Sequence, residues 1–430
     1  MNTCWSRPLV SYKYITPKKI GLHSTCDLLD MTEEPSHLLP NRKGKPNRKP
    51  PPPPRALPNP LVNAEYTCSN GFRRVTPYWH VYLTNVKERW RGMKLIDVFT
   101  SEYRDREKSY YEKAILTGFI TVNGQKSDFD HVVRNGDVIE HKMHRHEPPV
   151  PDKQIGIVHR DEDYLVIDKP SGIPVHAAGR FRHNSIVHIL NKEYVETQIF
   201  PCNRLDRLTS GLMFLAFSPI AAEQMRLKLL LGNSQSAFLL AFWTFIGSGY
   251  VECNEPMMTV EPKLGLNRVH YDGKTARTVF KRIHFDGKYS IVLCKPLTGR
   301  THQLRVHLQW LGHSISNDPI YSDPWVWGEE MGKHGAGDTM DIVSRLSQIG
   351  KTAVSFTASD DDTPGGERWS GENCMECDTP LYTDPSSGEL QLYLHAWEYT
   401  AQDKSWSYRS PLPTWADAID ETALELEYIE

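Results

Sequence analysis

Between residues 155 and 296, the chain contains a series of short apolar runs that are not regularly separated by helical patterns. Each run has the length and the β-branched and aromatic content of a strand. The clearest runs are 155–159, 164–170, 211–217, 276–283 and 289–294. A doubly wound fold would require a helix between most successive strands. The pattern therefore predicts an α+β fold, in which one helix follows Thr298 and presents a stripe of leucines.

Upstream of these runs, the sequence predicts a tail and a small module. Residues 1–64 include a basic stretch and five consecutive prolines, which indicate a disordered, basic and Pro-rich tail. Residues 65–150 show two short helical patterns, then a strand, an Asn-Gly turn and another strand. Interspersed Lys and Arg residues suit a small RNA-binding module, but this signal is weak by itself because basic amphipathic helices are usually solvated faces.

The rest of the chain divides into a main body and an acidic end. We assign residues 151–402 to the main body, with an acidic, Gly-rich insertion at 326–384, and residues 403–430 to an acidic C-terminal tail. The formal net charge is −3, yet residues 1–320 carry +13 and residues 321–430 carry −16. A basic surface attracts polyanions, so this distribution is consistent with RNA as a partner.

Composition excludes several classes of protein. Eight cysteines without regular spacing do not make a disulfide framework, which favours a reducing compartment. The longest apolar run, 237–246, is about half of the ~20 residues that span a bilayer, and no apolar core follows Met1. We expect a cytoplasmic protein without a membrane segment, while the basic, acid-free residues 1–24 leave a mitochondrial or nuclear location open.

Two stretches carry the residues that suggest chemistry. In Pro201-Cys-Asn-Arg-Leu-Asp-Arg-Leu-Thr-Ser-Gly-Leu, Asp206 lies between Arg204 and Arg207. An isolated Arg-x-Asp is usually a turn with surface ion pairs. In Pro296-Leu-Thr-Gly-Arg-Thr-His-Gln-Leu-Arg-Val-His-Leu, a turn places Arg300 at a helix start, where backbone N–H groups bind anions, and Arg305 lies one turn further on.

Taken together, the two stretches resemble the signature of the RluA-type pseudouridine synthases. Three further blocks agree with that family: Val166-Ile-Asp-Lys-Pro-Ser-Gly-Ile-Pro-Val-His, Gly312-His-Ser-Ile-Ser-Asn-Asp-Pro-Ile-Tyr and Leu394-His-Ala. The match spans residues 154–325 and 388–400. The upstream module resembles the alpha-L RNA-binding domain that often precedes this catalytic domain. Asn203, where bacterial members carry His, is similar to the eukaryotic branch that includes the fungal enzymes acting on tRNA position 32.

The resemblance implies a catalytic domain built on a mixed, mainly antiparallel sheet with flanking helices. It also implies an enzyme that isomerises uridine to pseudouridine in RNA, first of all in the anticodon stem-loop of tRNA. This reaction oxidises nothing and loses no group, so no cofactor and no metal are expected. Asp206 is expected to be the catalytic carboxylate, either as a nucleophile or as a group that stabilises an oxocarbenium-like charge and moves a proton. Arg305 is expected to be its ion-pair partner in the substrate site.

The resemblance also implies RNA contacts around the catalytic residue. Arg204 is expected to occupy the space that a flipped nucleotide leaves, and Arg300, Lys169 and Arg207 are expected to contact phosphates. For Lys169 and Arg207, a surface ion pair is an equal alternative. We expect a monomer. Two other functions stay open: a non-catalytic RNA-binding protein that retains the fold, and a synthase acting on rRNA, snRNA or mRNA.

One part of the family pattern is missing. Members carry a Lys-x-Tyr-x-Ala strand upstream of the position of residue 255, and its Tyr stacks on the target base. Residues 229–250 contain no Lys-x-Tyr and no charged side chain. Either Phe242, Trp243 or Tyr250 supplies the ring, or a misread exon boundary has replaced the strand and the chain as translated is inactive.

A C-x-x-C pair at Cys374 and Cys377 is the only cysteine pattern with metal-ligand spacing. A structural zinc site needs a second pair of ligands, and no correctly spaced one is found along the sequence, so zinc is disfavoured but stays open and no metal ligand is assigned. His144 and His146 could also be ligands, but histidines of an interdomain loop are the commoner interpretation.

Overall fold

The computed structural model describes residues 64–103, 106–194, 198–230, 234–242, 249–349, 369–420 and 424. The tail predicted for residues 1–64 and the ring candidate Trp243 therefore lie outside the described residues, apart from Ala64. Among the described residues, no helix is long and apolar enough to cross a membrane.

The described residues alternate between many short strands and a few helices. The strands are β1 Tyr66–Ser69, β2 Phe72–Val75, β3 Tyr78–Asn85, β4 Ile120–Val122, β5 Gln125–Lys126, β6 Val138–Arg145, β7 Val150–Pro151, β8 Gly156–Arg160, β9 Tyr164–Lys169, β10 Phe200–Pro201, β11 Ser210–Ala216, β12 Ser234–Phe242, β13 Tyr250–Cys253, β14 Met257–Glu261, β15 Leu266–Val269, β16 Thr278–Phe285, β17 Ser290–Pro296, β18 Trp369–Asn373, β19 Pro380–Tyr382, β20 Leu394–Ala401 and β21 Ser407–Arg409. The α-helices are α1 Leu95–Glu102, α2 Lys108–Thr117, α3 Ile186–Glu193, α4 Pro219–Leu230, α5 Gln303–Trp310, α6 Pro324–Trp327 and α7 Thr339–Ile349.

A single large sheet forms the centre of the main body. Its strand order is β13-β16-β17-β12-β20-β11-β9-β8, with β10 on β11 and β21 on β20. Among the described strands of this sheet, β11 and β20 form the parallel pair, with Ser210 opposite His395, and the other pairs are antiparallel. The predicted α+β class with a mixed, mainly antiparallel sheet is confirmed.

The uncharged stretch of the sequence forms the central strand β12. This strand lies between β17 and β20, and Phe238 is opposite both Cys294 and Ala396. Leu304 and Leu308 of α5 pack with its even-numbered side chains, and the opposite face is covered by the C-terminal residues. A strand covered on both faces has a continuous apolar sequence. Burial thus favours uncharged residues at 234–242, the part of the stretch that forms β12.

The small module contains β3 to β6, α1 and α2 around a core of its own. The four apolar residues predicted to share a helical face, Leu95, Ile96, Val98 and Phe99, are all buried on α1. Asn123 and Gly124 join β4 to β5 with φ angles of 55° and 76°, as the predicted Asn-Gly turn requires. The sequence pattern did not reveal β3, which pairs with β6 along its whole length.

The structure changes the expected boundaries at two places. Strands β1 and β2 pair with each other and with β7, and Tyr66 and Val75 pack in the core of the main body, so residues 64–75 belong with that body rather than with the module. Part of the predicted C-terminal tail is structured as well. Strand β21 pairs with β20, and Ala416 and Ile419 are buried beneath β12.

Candidate active site

Asp206 lies in the loop between β10 and β11, which is fastened to the end of β9. The Lys169 ammonium, at the end of β9, donates hydrogen bonds to the carbonyl oxygens of Pro170 (2.9 Å), Ile173 (2.9 Å) and Arg207 (3.1 Å). The backbone N–H of Gly172 also donates to the Arg207 carbonyl, at 2.9 Å. These bonds fix the backbone directly after Asp206.

Arg305, on α5, joins Asp206 to a second carboxylate. Its Nη1 donates to Asp206 Oδ2 at 3.1 Å, while its Nε and Nη2 donate to Asp318 at 2.6 and 2.8 Å. The Arg305 and Asp318 side chains are only 5% and 0% exposed, whereas the Asp206 side chain is 38% exposed. A two-point contact from a planar guanidinium fixes orientation as well as charge. Asp318 therefore fixes Arg305 from the buried side. Asp206 is the carboxylate that a substrate can reach.

His302 and Tyr321 complete the surroundings of Asp206. His302 Nδ1 lies 3.0 Å from the Tyr321 hydroxyl, and its Nε2 lies 3.5 Å from Asp206 Oδ2. The backbone N–H of Asn267 donates to the same hydroxyl at 3.1 Å. Because an unprotonated Nε2 would face the carboxylate with a lone pair, the tautomer that fits is the one with the proton on Nε2 and the Tyr321 hydroxyl donating to Nδ1.

The electrostatics of this group keep Asp206 ionised. The loss of water around the carboxyl group would by itself raise the pKa of Asp206, but His302, Arg305 and Lys169 outweigh that effect and lower the pKa below its usual value. Burial, followed by the charge of Arg305, lowers the pKa of His302 to about 4, so the ring is neutral near pH 7. Near pH 7, Arg305 is therefore the cation that is hydrogen-bonded to Asp206. Burial opposes its charge, but Asp318 and Asp206 outweigh burial and raise the pKa of Arg305.

The expected basic residues have different positions. Arg204 is exposed. Arg300 is exposed at the start of α5, and its Nε donates to the Thr275 carbonyl at 3.0 Å. Arg207 is partly exposed, with its guanidinium 5.6 Å from the centroid of the Phe181 ring. These three side chains are exposed enough to contact RNA.

The position of Lys169 argues against both roles expected for it. This lysine is completely buried, and three carbonyl oxygens accept hydrogen bonds from its ammonium group. It can neither contact a phosphate nor form a surface ion pair in this conformation. The sequence could not reveal this, because a Lys at the end of a strand is exposed unless neighbouring loops fold over it.

Sequence reasoning missed Asp318, His302 and Tyr321 as members of the site. Asp318 and Tyr321 lie in the block that starts at Gly312, which was used for the resemblance without assigning a role to either residue. The available signal was an acidic residue 13 positions after an arginine expected to be buried. A buried guanidinium with five donors needs more than one carboxylate oxygen.

Two of the three rings proposed to stack on the target base can be assessed. Phe242 is completely buried, with its ring centroid 5.3 Å from that of His313. Tyr250 is 45% exposed on the edge strand β13, and four strands separate β13 from β11 in the sheet order. Another ring that was not among the three, Phe238, lies on the same face of β12 as Phe242, is only partly buried, and packs against the apolar cluster that includes Leu208 of the Asp206 loop.

The structure brings the two cysteines close to two histidines. His144 and His146 are not a free interdomain loop: His144 is in β6 and is 5% exposed. The ligand atoms of His144, His146, Cys374 and Cys377 all lie within 4.8 Å of one another. A second pair of ligand atoms therefore lies beside the cysteine pair in space, although the sequence spacing does not indicate it. The two pairs are about 230 residues apart in the chain, far outside the spacing that a sequence pattern tests.

Comparison with known proteins identifies the family of the chain. The model of the family described as RNA pseudouridylate synthase matches residues 163–310. A Saccharomyces cerevisiae protein named tRNA pseudouridine(32) synthase, mitochondrial, is 43% identical over 363 residues, which cover 82% of this chain and 78% of that one. A second protein of that yeast, named tRNA pseudouridine(31) synthase, is 33% identical over 82% of this chain and 97% of its own length.

A mouse protein named pseudouridylate synthase RPUSD2 is 33% identical, over 83% of this chain and 73% of its own length. These similarities extend well beyond the catalytic blocks into the upstream module. The chain belongs to the RluA-type family of RNA pseudouridine synthases, enzymes that isomerise uridine in RNA.

Proposed function

We propose that this enzyme converts uridine to pseudouridine in the anticodon stem-loop of tRNA, at position 32, with Asp206 as the catalytic carboxylate. The observation that carries the catalytic role is the contrast between Asp206, 38% exposed, and its buried partners Arg305 and Asp318. The position is supported by the 43% identity to a protein named for position 32, against 33% to one named for position 31.

The reaction places specific demands on the carboxylate. The bond between C1′ and N1 breaks, the base turns, and C1′ bonds to C5. The hydrogen that leaves C5 is matched by the proton that N1 gains, so composition is unchanged. Positive charge develops on the sugar as the first bond breaks, and an ionised carboxylate stabilises it or forms a bond to it. Arg305 keeps Asp206 ionised and fixes its direction, while the Nε2–H of His302 lies 3.5 Å from the same oxygen.

A uridine in a stacked loop must first leave its neighbours. Arg204, exposed two residues before Asp206, is suited to fill the space that the base leaves. Arg300 and Arg207 are suited to contact the backbone phosphates on either side. Phe238 is our candidate for the ring that stacks on the turned base, since it is a partly buried aromatic on the face of β12 that packs against the Asp206 loop.

The test uses purified full chain and unmodified tRNA transcripts, with pseudouridine mapped by carbodiimide adducts and primer extension. We expect a stop at U32 with the wild-type protein and a loss of rate of at least ~10³-fold in Asp206→Asn. Asp286→Asn is the matched control. Asp286 accepts two backbone N–H groups in an exposed turn and lies in the β16–β17 connection.

Transcripts in which U32 or U31 is replaced by C identify the position. A product that persists without U32 would move the assignment to another uridine. The catalytic role is wrong if Asp206→Asn retains the wild-type rate. Product on rRNA, snRNA or mRNA fragments, but not on tRNA, would leave the chemistry intact and reject the substrate.

We further propose a monomer in the cytoplasm, with mitochondrial import as the alternative that the name of the yeast relative favours. Light scattering of the purified chain tests the first statement. Fractionation of cells that express the chain with a C-terminal tag tests the second.

A further inference from the structure

Four side chains with metal-binding atoms converge between the module and the hairpin of β18 and β19. His144 and His146 come from the end of β6, and Cys374 and Cys377 come from the turn that joins β18 to β19. Cys374 Sγ lies 3.5 Å from His144 Nδ1, and Cys377 Sγ lies 3.3 Å from His146 Nε2. Both cysteines are free thiols.

These distances suit a tetrahedral ion. Zinc bonds of ~2.3 Å to sulfur and ~2.0–2.1 Å to nitrogen place a sulfur and a nitrogen about 3.5 Å apart on one edge of the tetrahedron. The two measured S···N distances, 3.5 and 3.3 Å, are close to that edge. Two thiolates and two imidazoles are a donor set that zinc prefers in structural sites.

The backbone already holds the two thiols in a tight turn. The N–H of Cys374 donates to the Thr379 carbonyl, and the N–H of Asp378 donates to the Cys374 carbonyl, both at 2.8 Å. Asp378 has a φ of +56°, a left-handed conformation that closes the turn. Cys377 Sγ lies 3.1 Å from the Thr379 hydroxyl, which can donate to the thiolate once the thiol has lost its proton.

Two further polar side chains lie beside His144. Glu376 Oε2 lies 3.6 Å from His144 Nε2, the ring nitrogen that faces away from Cys374. The indole N–H of Trp79 donates to the same Glu376 oxygen at 3.2 Å. A carboxylate on the far nitrogen of a ligating histidine orients the ring and increases its basicity. Such an arrangement is expected around a ligand and is not required by a solvated loop.

We propose that His144, His146, Cys374 and Cys377 bind one structural zinc ion that fastens the β18–β19 hairpin to the RNA-binding module. An isolated two-stranded hairpin is at best marginally stable in water, and binding of zinc to such ligands contributes directly to folding. The site is independent of the proposed tRNA substrate, because none of its ligands belongs to the Asp206 site.

The test measures metal in the purified full chain after expression in zinc-supplemented medium and desalting under reducing conditions. We expect close to one zinc per wild-type chain by mass spectrometry. The zinc content should fall to background in Cys374→Ala, Cys377→Ala and His144→Asn. Cys253→Ala, which removes a buried thiol on the edge strand β13, is the matched control and should keep the wild-type content.

A second kind of variant keeps all four ligands, so that a loss of zinc cannot be explained by loss of a ligand that the fold itself needs. Glu376→Gln should lower the affinity for zinc by ~10- to 100-fold, measured by competition with a chromophoric chelator. Cobalt substituted into the wild-type chain should give the visible spectrum of a tetrahedral site with thiolate ligands. Hydrogen exchange after chelation should increase in residues 138–146 and 369–382 before it increases in β11.

Three outcomes would overturn the proposal: a reduced wild-type chain that holds no zinc and gives no cobalt spectrum, ligand variants that bind zinc as the wild type does, or a disulfide between Cys374 and Cys377 in the chain purified under reducing conditions.

Discussion

Asp318 offers the sharpest test of how the active site is held together. The Asp318→Asn substitution keeps one oxygen that can accept the backbone N–H groups of Ile320 and Tyr321, at 2.9 and 3.1 Å. It removes the negative charge and one of the two oxygens that bind Arg305, at 2.6 and 2.8 Å. Arg305 is 5% exposed and is left with Asp206 as its anionic partner.

The expected magnitude follows from burial. Breaking a buried ion pair by removing one partner costs ~3–5 kcal/mol. Because Asp206 still offers one contact to Arg305, we expect about 3 kcal/mol. For a chain of this size, 1 kcal/mol shifts the Tm by roughly 2 °C, so the Tm should fall by about 6 °C. Arg305 also sets the direction of Asp206, and a displacement of the carboxylate by ~1 Å costs ~10²-fold in kcat.

Two assays measure these effects. Calorimetry gives the Tm. Release of tritium from tRNA labelled at C5 of uridine gives kcat, because the new bond at C5 displaces that hydrogen. Asp286→Asn is the control, since Asp286 accepts the N–H groups two and three residues ahead of it, as Asp318 does, but binds no arginine among the described residues. If Asp318→Asn and Asp286→Asn have the same Tm and the same kcat, Arg305 does not depend on Asp318 and the reasoning is refuted.

Three further predictions concern other parts of the site. Since the pKa of Asp206 is lowered in the free enzyme, the carboxylate is ionised above that pKa and activity is lost only as pH falls through it. The acid limb of a kcat/KM profile, which reports the free enzyme, should lie below pH ~3.9, the ordinary Asp value, and a limb above pH 5 would contradict this. Phe238→Leu should lower kcat/KM by ~5- to 150-fold through loss of stacking worth ~1–3 kcal/mol, whereas Phe285→Leu, at a ring 40% exposed on a hairpin, should not. Lys169→Met should lower the Tm without changing the salt dependence of tRNA binding. Arg300→Ala, in contrast, should reduce the slope of log K against log salt by ~1. Equal slopes in the two variants would reject the assignment of Arg300 as a phosphate contact.

Local patterns predicted much of the fold. The apolar period of α1 and the Asn-Gly turn after β4 depend on neighbours in the sequence, and both were predicted correctly. Strand β3 was missed although Trp79, Val81 and Leu83 alternate along it; this apolar face is exposed in the structure rather than packed in a core. The ends of the chain were misjudged for another reason: β1–β2 and β20–β21 are hairpins of very short strands, and β2 also pairs with β7, which is distant in sequence.

In the stretch 229–250, the same absence of charge can result from burial or from an error in the sequence. Its lack of charge suggested a misread exon as readily as a natural strand. In the structure, residues 234–242 lie between two strands and are covered on both faces, where a charged side chain would lose its hydration without a partner. Burial therefore agrees with the absence of charge in residues 234–242, but it does not explain the missing Lys-x-Tyr. Sequencing the transcript across codons 225–255 still decides whether the chain is read correctly.

The two sites differ in how far sequence reasoning could reach them. Asp206 and Arg305 are 99 residues apart, yet each lies in a distinctive block, so a family resemblance could pair them before any geometry was known. His144 and Cys374 are 230 residues apart, and neither lies in such a block. Spacing rules for zinc assume that ligands come in pairs within one small unit. Here one pair belongs to the module and the other to a hairpin within the main body, so only the fold brings them together. In a chain whose domains pack against each other, the absence of a second ligand pair near a C-x-x-C in the sequence is therefore only weak evidence against a metal site.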